Sequence, residues 1–298
     1  MKIYLIRHAE TVHNVAQAYA GTTDSALTNH GVLQIDHLAR GFASKSIYFE
    51  YVFSSDLRRA RDTAEGICRL QPAPLDPIIA PNLREKDFGS LEGLHFNAPS
   101  ASSRHSETWS ARPMNISSSA HVESESVVSM KRRANSFLNE HLIPLMLERP
   151  NLRSNVAIVA HGIILRVLWG CLVEIFDPIS ISLATGDSSI DDGPAAFITP
   201  GWSNTGVMEL LIEPSPALST TQDSAPSPSA GSAIDAQPPA ENTPAFNYLL
   251  HGWSMKILSI NNKVHLAGLH RTRGGIGSAS HDTRQKKIDH FFKQEGFE

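Results

Sequence analysis

Apolar residues fall in short unbroken runs and in helical stripes, and the two alternate along the chain. Ile3-Tyr4-Leu5-Ile6 has no polar interruption, as expected of a strand buried on both faces, and it stops at Arg7-His8. Tyr51-Val52-Phe53 is a second such run, and Ser54-Ser55-Asp56 after it supplies acceptors of the kind that start a helix. Val156-Ala157-Ile158-Val159-Ala160 is a third, and it stops at His161. Between them, Leu33, Leu38 and Phe42 give an apolar face to a helix over 28–43, opened by Thr28. Further helices are predicted over 57–70, 122–148 and 163–174, and late strands over 206–212 and 255–260. Pro72, Pro74, Pro77 and Pro81 keep the intervening chain extended.

Strands separated by helices imply an α/β fold: a three-layer sandwich whose central sheet is mostly parallel and flanked by helices. Three segments lack either pattern. Residues 97–120, rich in Ser, Ala and Asn, read as a loop insertion. Residues 214–245 are Pro, Ser, Ala and Thr with hardly any large apolar side chain, too little to offset the entropy of ordering, so a disordered insertion between two strands is expected. Residues 268–284 read as a flexible stretch. The expected organisation is one domain over 1–267 and a tail over 268–298.

Composition narrows the picture further. The chain has 298 residues, of which 41% are hydrophobic, enough for a substantial core. A net charge of −4 gives no global attraction to nucleic acid or to an anionic membrane. Two cysteines, Cys68 and Cys171, make no disulfide framework, which points to a reducing compartment such as the cytoplasm. The opening apolar run is too short for a signal peptide. The longest one, 163–176, is interrupted by Arg166 and Glu174 and is too short to span a bilayer. The histidines show no metal-ligand spacing, so neither a metal nor another cofactor is expected.

The chemistry gathers where strands end. In open α/β sheets ligands bind beyond the carboxyl ends of the strands, and His8, Arg59 and His161 stand at or just after such ends. A neutral imidazole held in one tautomer is a good nucleophile toward phosphorus, and a guanidinium offers a planar fork that matches phosphate oxygens. Arg7 adjoins His8, Arg59 lies at a helix start, where backbone N–H groups favour anions, and Glu85 adds a carboxylate. A lone strand-end histidine is more often satisfied by a backbone carbonyl; the accompanying segments tip the reading toward a site.

Four segments carry a resemblance: Arg7-His8-Ala9-Glu10-Thr11, the run from Ser55 to Ala64 with Arg59 directly before Ala60, Leu83-Arg84-Glu85 leading to Phe88-Gly89 and Glu92-Gly93, and Ala160-His161-Gly162. In this order they resemble the histidine phosphatase superfamily, also called phosphoglycerate mutase-like, over 1–94 and 152–212 and more loosely over 246–267. The resemblance implies that fold and a metal-independent phosphoric monoester hydrolase of the histidine acid phosphatase type. It implies that His8 attacks phosphorus and that Arg7 and Arg59 clamp the phosphoryl oxygens. His161 would donate to those oxygens, and Glu85 would protonate the leaving oxygen and then deprotonate water. Asn14 matches the family's pocket asparagine, and Gly21 a backbone contact in the loop that follows. The substrate would be a small sugar or organic phosphate.

Two alternatives come with it. A phosphoglycerate mutase-type phosphotransferase is disfavoured, because Phe88 and Phe96 stand where the mutases carry Tyr and Lys. The tail supplies the other. Gln285, Ile288, Phe291 and Phe292 are spaced as in the PIP box, the short helical plug that binds the sliding clamp PCNA. That resemblance implies PCNA as a partner, a nuclear as well as a cytoplasmic location, and, in the alternative, an adaptor with weak or no catalysis. It implies no direct nucleic-acid contact.

Overall fold

The computed structural model describes residues 1–96, 123–148, 154–184, 198–215 and 249–282. In chain order the elements are β1 (Lys2–Arg7), α1 (Val12–Ala16), α2 (Asn29–Ser44), β2 (Tyr51–Ser54), α3 (Arg58–Cys68), β3 (Ile78–Ile79), α4 (Val127–Phe137), α5 (Ile143–Glu148), β4 (Asn155–Ala160), α6 (Gly162–Glu174), β5 (Ile181–Leu183), β6 (Val207–Pro214) and β7 (Trp253–Asn262). One turn of π-helix, Leu138–Leu142, joins α4 to α5.

The seven strands form one sheet in the order β3-β2-β4-β1-β6-β7-β5. It is mixed. The block β3-β2-β4-β1 and the pair β7-β5 are parallel, while β6 runs antiparallel to both of its neighbours. Alternation along the central strands divides the core into two layers. Ile3, Leu5, Phe53, Val156 and Ile158 face α4 and α6. Tyr4, Ile6, Val52, Ala157 and Val159 face α2 and α3. The unbroken apolar runs therefore mark strands covered on both sides.

Three parallel strands deliver their ends to one edge. Arg7 of β1 pairs with Ala160 of β4, and Ser54 of β2 pairs with Val159. The residues that come next, His8, Ser55 and His161, thus leave the sheet side by side. The His8 N–H donates to Ala160 O at 2.9 Å and the Ser55 N–H to Val159 O at 3.1 Å, which extends the ladder one step past each strand.

Some expectations need correction. The helix expected from 122 starts at Val127, because the Ser126 side chain accepts the Ser129 N–H and caps it there. Strand β6 runs on through Pro214, opposite Trp253, where the insertion was expected to begin. Residues 216–245 of that insertion, the loop insertion at 97–120 and the motif residues Gln285, Ile288, Phe291 and Phe292 lie outside the described residues.

The stretch after 267, expected to be flexible, packs against the domain as far as Asp282. Asn29 N–H donates to Ala279 O at 3.0 Å, His281 N–H donates to Leu27 O at 2.8 Å, and Asn29 Nδ2 donates to Ile276 O at 2.9 Å. Arg271 forms a two-pronged ion pair with the buried Glu10, whose Oε1 also accepts from Thr28 Oγ1 at 2.8 Å. This strap closes over the N-terminus of α2, so the folded unit extends beyond 267. Among the described residues no helix is long and apolar enough to cross a membrane.

Candidate active site

His8 follows β1 and is 4% exposed. Its Nδ1 lies 2.7 Å from Ala9 O, a partner that can only accept, so Nδ1 carries the proton and Nε2 keeps its lone pair. Burial first, then the charges of Arg59 and Arg7, hold the ring well below the usual histidine range and so in its neutral form. The His161 ring lies beside it, with centroids 5.0 Å apart.

Arg59 is 1% exposed, whereas its neighbour Arg58 faces solvent. Three groups fix the buried guanidinium. Nε donates to His161 Nδ1 at 3.2 Å, Nη1 to Thr23 O at 2.8 Å and Nη2 to Gly21 O at 2.6 Å. Burial lowers its pKa to about 10, still far above neutrality. Because His161 Nδ1 accepts from Arg59, His161 Nε2 carries the hydrogen and donates to Ser55 Oγ at 3.0 Å. Both ring nitrogens thus have protein partners, and direct donation to a phosphoryl oxygen requires His161 to exchange Ser55 for it.

The loop that holds Arg59 is itself held by Glu92. That carboxylate accepts from the Thr22 N–H at 2.7 Å, the Thr23 N–H at 3.0 Å and both threonine hydroxyls. Gly21 has φ +54°, and a Cβ there would lie 1.9 Å from Glu92 Oε1. Glycine is thus required twice over, by backbone conformation and by the approach of Glu92.

Glu85 turns inward because its neighbours are engaged elsewhere. Arg84 forms a bidentate pair with Asp56, and Arg133 of α4 donates to the carbonyls of Asn82 at 2.9 Å and Glu85 at 3.2 Å. The Glu85 carboxylate accepts from the N–H groups of Lys86 at 2.9 Å, Ile163 at 3.2 Å and Ile164 at 3.1 Å, which places it over the N-terminus of α6. A Cβ on Gly162 would stand 3.8 Å from Arg7 Nε and 4.0 Å from Glu85 Oε2, so both groups converge on one point. Arg7 Nη1 donates to Trp202 O at 2.8 Å, while its Nε is buried without a hydrogen-bond partner.

Arg7, His8, Asn14, Gly21, Arg59 and Glu85 line one pocket of about 370 Å3, with His161 directly behind. A larger cleft of about 570 Å3 between α2 and α3 carries none of them. The pocket therefore gathers a neutral imidazole, two fixed guanidiniums and a carboxylate, a set suited to holding a phosphoryl group and moving a proton.

Several residues that shape this pocket escaped the sequence reading. Asn204 Nδ2 donates to His8 O at 3.1 Å and to Asn14 Oδ1 at 3.0 Å, and Thr11 N–H and Oγ1 also bond to that oxygen. Asn14 Oδ1 is thus fully engaged, which leaves its –NH2 for the pocket. Nothing local in Trp202-Ser203-Asn204 signals this, since the contact spans 190 residues. Arg166, Tyr19 and Trp202 also line the pocket, beside Phe88 and Phe96. Leu94, between them in the sequence, is exposed and not part of the lining. Replacing Asn204 with leucine is expected to weaken the affinity of the pocket for inorganic phosphate about tenfold to a hundredfold, the usual scale for losing a residue that orients a ligand-binding group. A wild-type value would show that the Asn14 amide is held without it.

The comparisons with known proteins bear on the family and the fold. A family model described as "Histidine phosphatase superfamily (branch 1)" matches residues 3–181. Over 175 residues the chain is 34% identical to "Probable phosphoglycerate mutase GpmB" of Proteus mirabilis, covering 58% of this chain and 74% of that protein. "Probable phosphatase C1620.13" of Schizosaccharomyces pombe is 29% identical over 290 residues, covering 96% of this chain and 78% of that one. The solved structure "Mycobacterial hydrolase 2" shares the fold, with a TM-score of 0.50 at 24% identity, covering 72% of this chain and 83% of that chain.

Proposed function

This chain belongs to the histidine phosphatase superfamily, and from that premise we propose that it hydrolyses phosphomonoesters through a phosphohistidine formed on His8. The observation that carries the reading is the His8 ring itself: neutral, fixed by its Nδ1–H bond to Ala9 O, and set between two guanidiniums in a pocket.

The His8 Nε2 lone pair attacks phosphorus as the bond to the ester oxygen breaks. The Glu85 carboxyl proton passes to that oxygen, and the alcohol leaves. Water then attacks phosphorus, gives a proton to the Glu85 carboxylate, and displaces Nε2, which restores the neutral ring and releases inorganic phosphate. Arg7 and Arg59 face the phosphoryl oxygens, Arg7 through the Nε that has no protein partner. Asn14 donates through its –NH2. His161 steadies Arg59 and reaches a phosphoryl oxygen in place of Ser55. Hydrolysis is favoured over mutase chemistry because Phe88 and Phe96 line the wall where a mutase grips its second charged group with Tyr and Lys, and because the likeness to the fission-yeast phosphatase extends over nearly the whole chain.

Rapid denaturing quench during turnover of a phosphorus-labelled aryl phosphate tests this. The expected result is up to one label per chain, lost in acid and stable in base, as a phosphoramidate requires. A label stable in acid, or none under conditions of rapid turnover, would assign the chemistry to another group.

A further inference from the structure

The pocket holds one more cation than a phosphoryl group needs. His8 and His161 are neutral and Glu85 enters the proposed cycle carrying a proton, so the charges that line the pocket around a bound ester are Arg7, Arg59 and Arg166. Protein acceptors aim Arg7 and Arg59 at the reacting centre, and their two charges match a phosphoryl dianion. Arg166 differs from both. It projects from the second turn of α6 and is exposed, and its side chain makes no ion pair or hydrogen bond to any described residue.

One wall of the pocket is aromatic and built. The Tyr19 ring lies 4.5 Å from that of Phe88 and 4.8 Å from that of Phe96. Backbone bonds fix the trio: Tyr19 N–H to Leu94 O at 2.9 Å, Gly93 N–H to Tyr19 O at 2.7 Å and Phe96 N–H to Gln17 O at 2.8 Å. Lys86 Nζ sits 5.4 Å from the Phe88 ring centroid, a cation–π contact. A pocket that offers a phosphoryl clamp, a fixed aromatic wall and a spare guanidinium is complementary to a molecule that carries a part for each.

We infer that the substrate class is an organic phosphomonoester whose leaving group joins a flat apolar body to a second anionic group, and that Arg166 reads the second anion. The inference rests on the phosphatase reading above and adds to it a specificity determinant outside the reacting centre. A guanidinium pairing with a carboxylate at a half-open pocket is expected to favour the charged substrate about tenfold.

The test compares 4-carboxyphenyl phosphate with its near-isosteric neutral partner, 4-carbamoylphenyl phosphate. In wild type, kcat/KM for the carboxylate is expected to exceed that for the amide about tenfold. Arg166→Gln should bring the ratio close to one, and Arg166→Lys should restore part of it. A ratio near one in wild type, or one that Arg166→Gln leaves unchanged, overturns the assignment. The same pair titrated calorimetrically into the His8→Ala chain reads the contrast in affinity without turnover. If wild type cleaves neither ester, the phosphatase reading fails while the binding contrast still decides the role of Arg166.

Discussion

Replacing His8 with alanine is expected to lower turnover of an aryl phosphate by on the order of 10^4 to 10^6, the scale on which enzymes lose activity when a covalent nucleophile is removed. The structure gives reasons to expect a chemical loss rather than a folding one. The ring is neutral in the folded chain, so its removal strands no charge, and the bond that disappears is the one from Nδ1–H to Ala9 O. Arg7 and Arg59 keep the protein acceptors that fix them, namely Trp202 O, Thr23 O and Gly21 O. The variant should therefore still bind inorganic phosphate, and a binding isotherm near that of wild type beside lost turnover would place the defect in bond making. A loss of only about tenfold would mean that the imidazole orients the phosphoryl group while another nucleophile attacks it.

The sequence shows this site because its parts stand at ends of strands that the hydrophobic pattern marks unambiguously. Ile3 to Ile6 and Val156 to Ala160 are buried on both faces, and parallel pairing in register carries His8 and His161 to the same edge. What the sequence hides depends on contacts that no local pattern records. Over 268–282 the strap buries few apolar side chains; backbone bonds at the start of α2 and the ion pair of Arg271 with Glu10 hold it, so its composition reads as flexible. The start of α4 is set by a cap at Ser126. Strand β5, three residues long, takes its conformation from pairing with β7. Asn204 and Arg133 act on Asn14 and Glu85 across long stretches of chain. The dependence of Arg59 on Gly21 and Glu92 was half visible: both lie in or beside recognised motifs, but the steric reason for Gly21 is the Glu92 side chain itself.

The Glu85→Ala variant is expected to separate two kinds of ester. In the proposed cycle Glu85 acts twice, first giving a proton to the leaving oxygen and later taking one from water. The first act matters only when the departing oxygen is strongly basic. A 4-nitrophenolate leaves readily without a proton, whereas an alkoxide such as that of glycerol does not. Because kcat/KM reports steps through formation of the phosphoenzyme, it should fall about 10^2 to 10^4 for glycerol phosphate and no more than about tenfold for 4-nitrophenyl phosphate. The second act is common to both esters. With 4-nitrophenyl phosphate the variant should release a burst of nitrophenol of one equivalent per chain and then turn over slowly, limited by water that lacks its base. The carboxylate also rests on the N–H groups of Lys86, Ile163 and Ile164, so alanine removes a helix-terminal contact as well as an acid. Glu85→Gln keeps an acceptor for those N–H groups but cannot donate or accept the proton, and it should reproduce the leaving-group dependence with less effect on stability. Equal losses of kcat/KM for the two esters in both variants would mean that Glu85 serves the charge balance of Arg7 and the seating of α6, and that the leaving oxygen receives its proton from elsewhere.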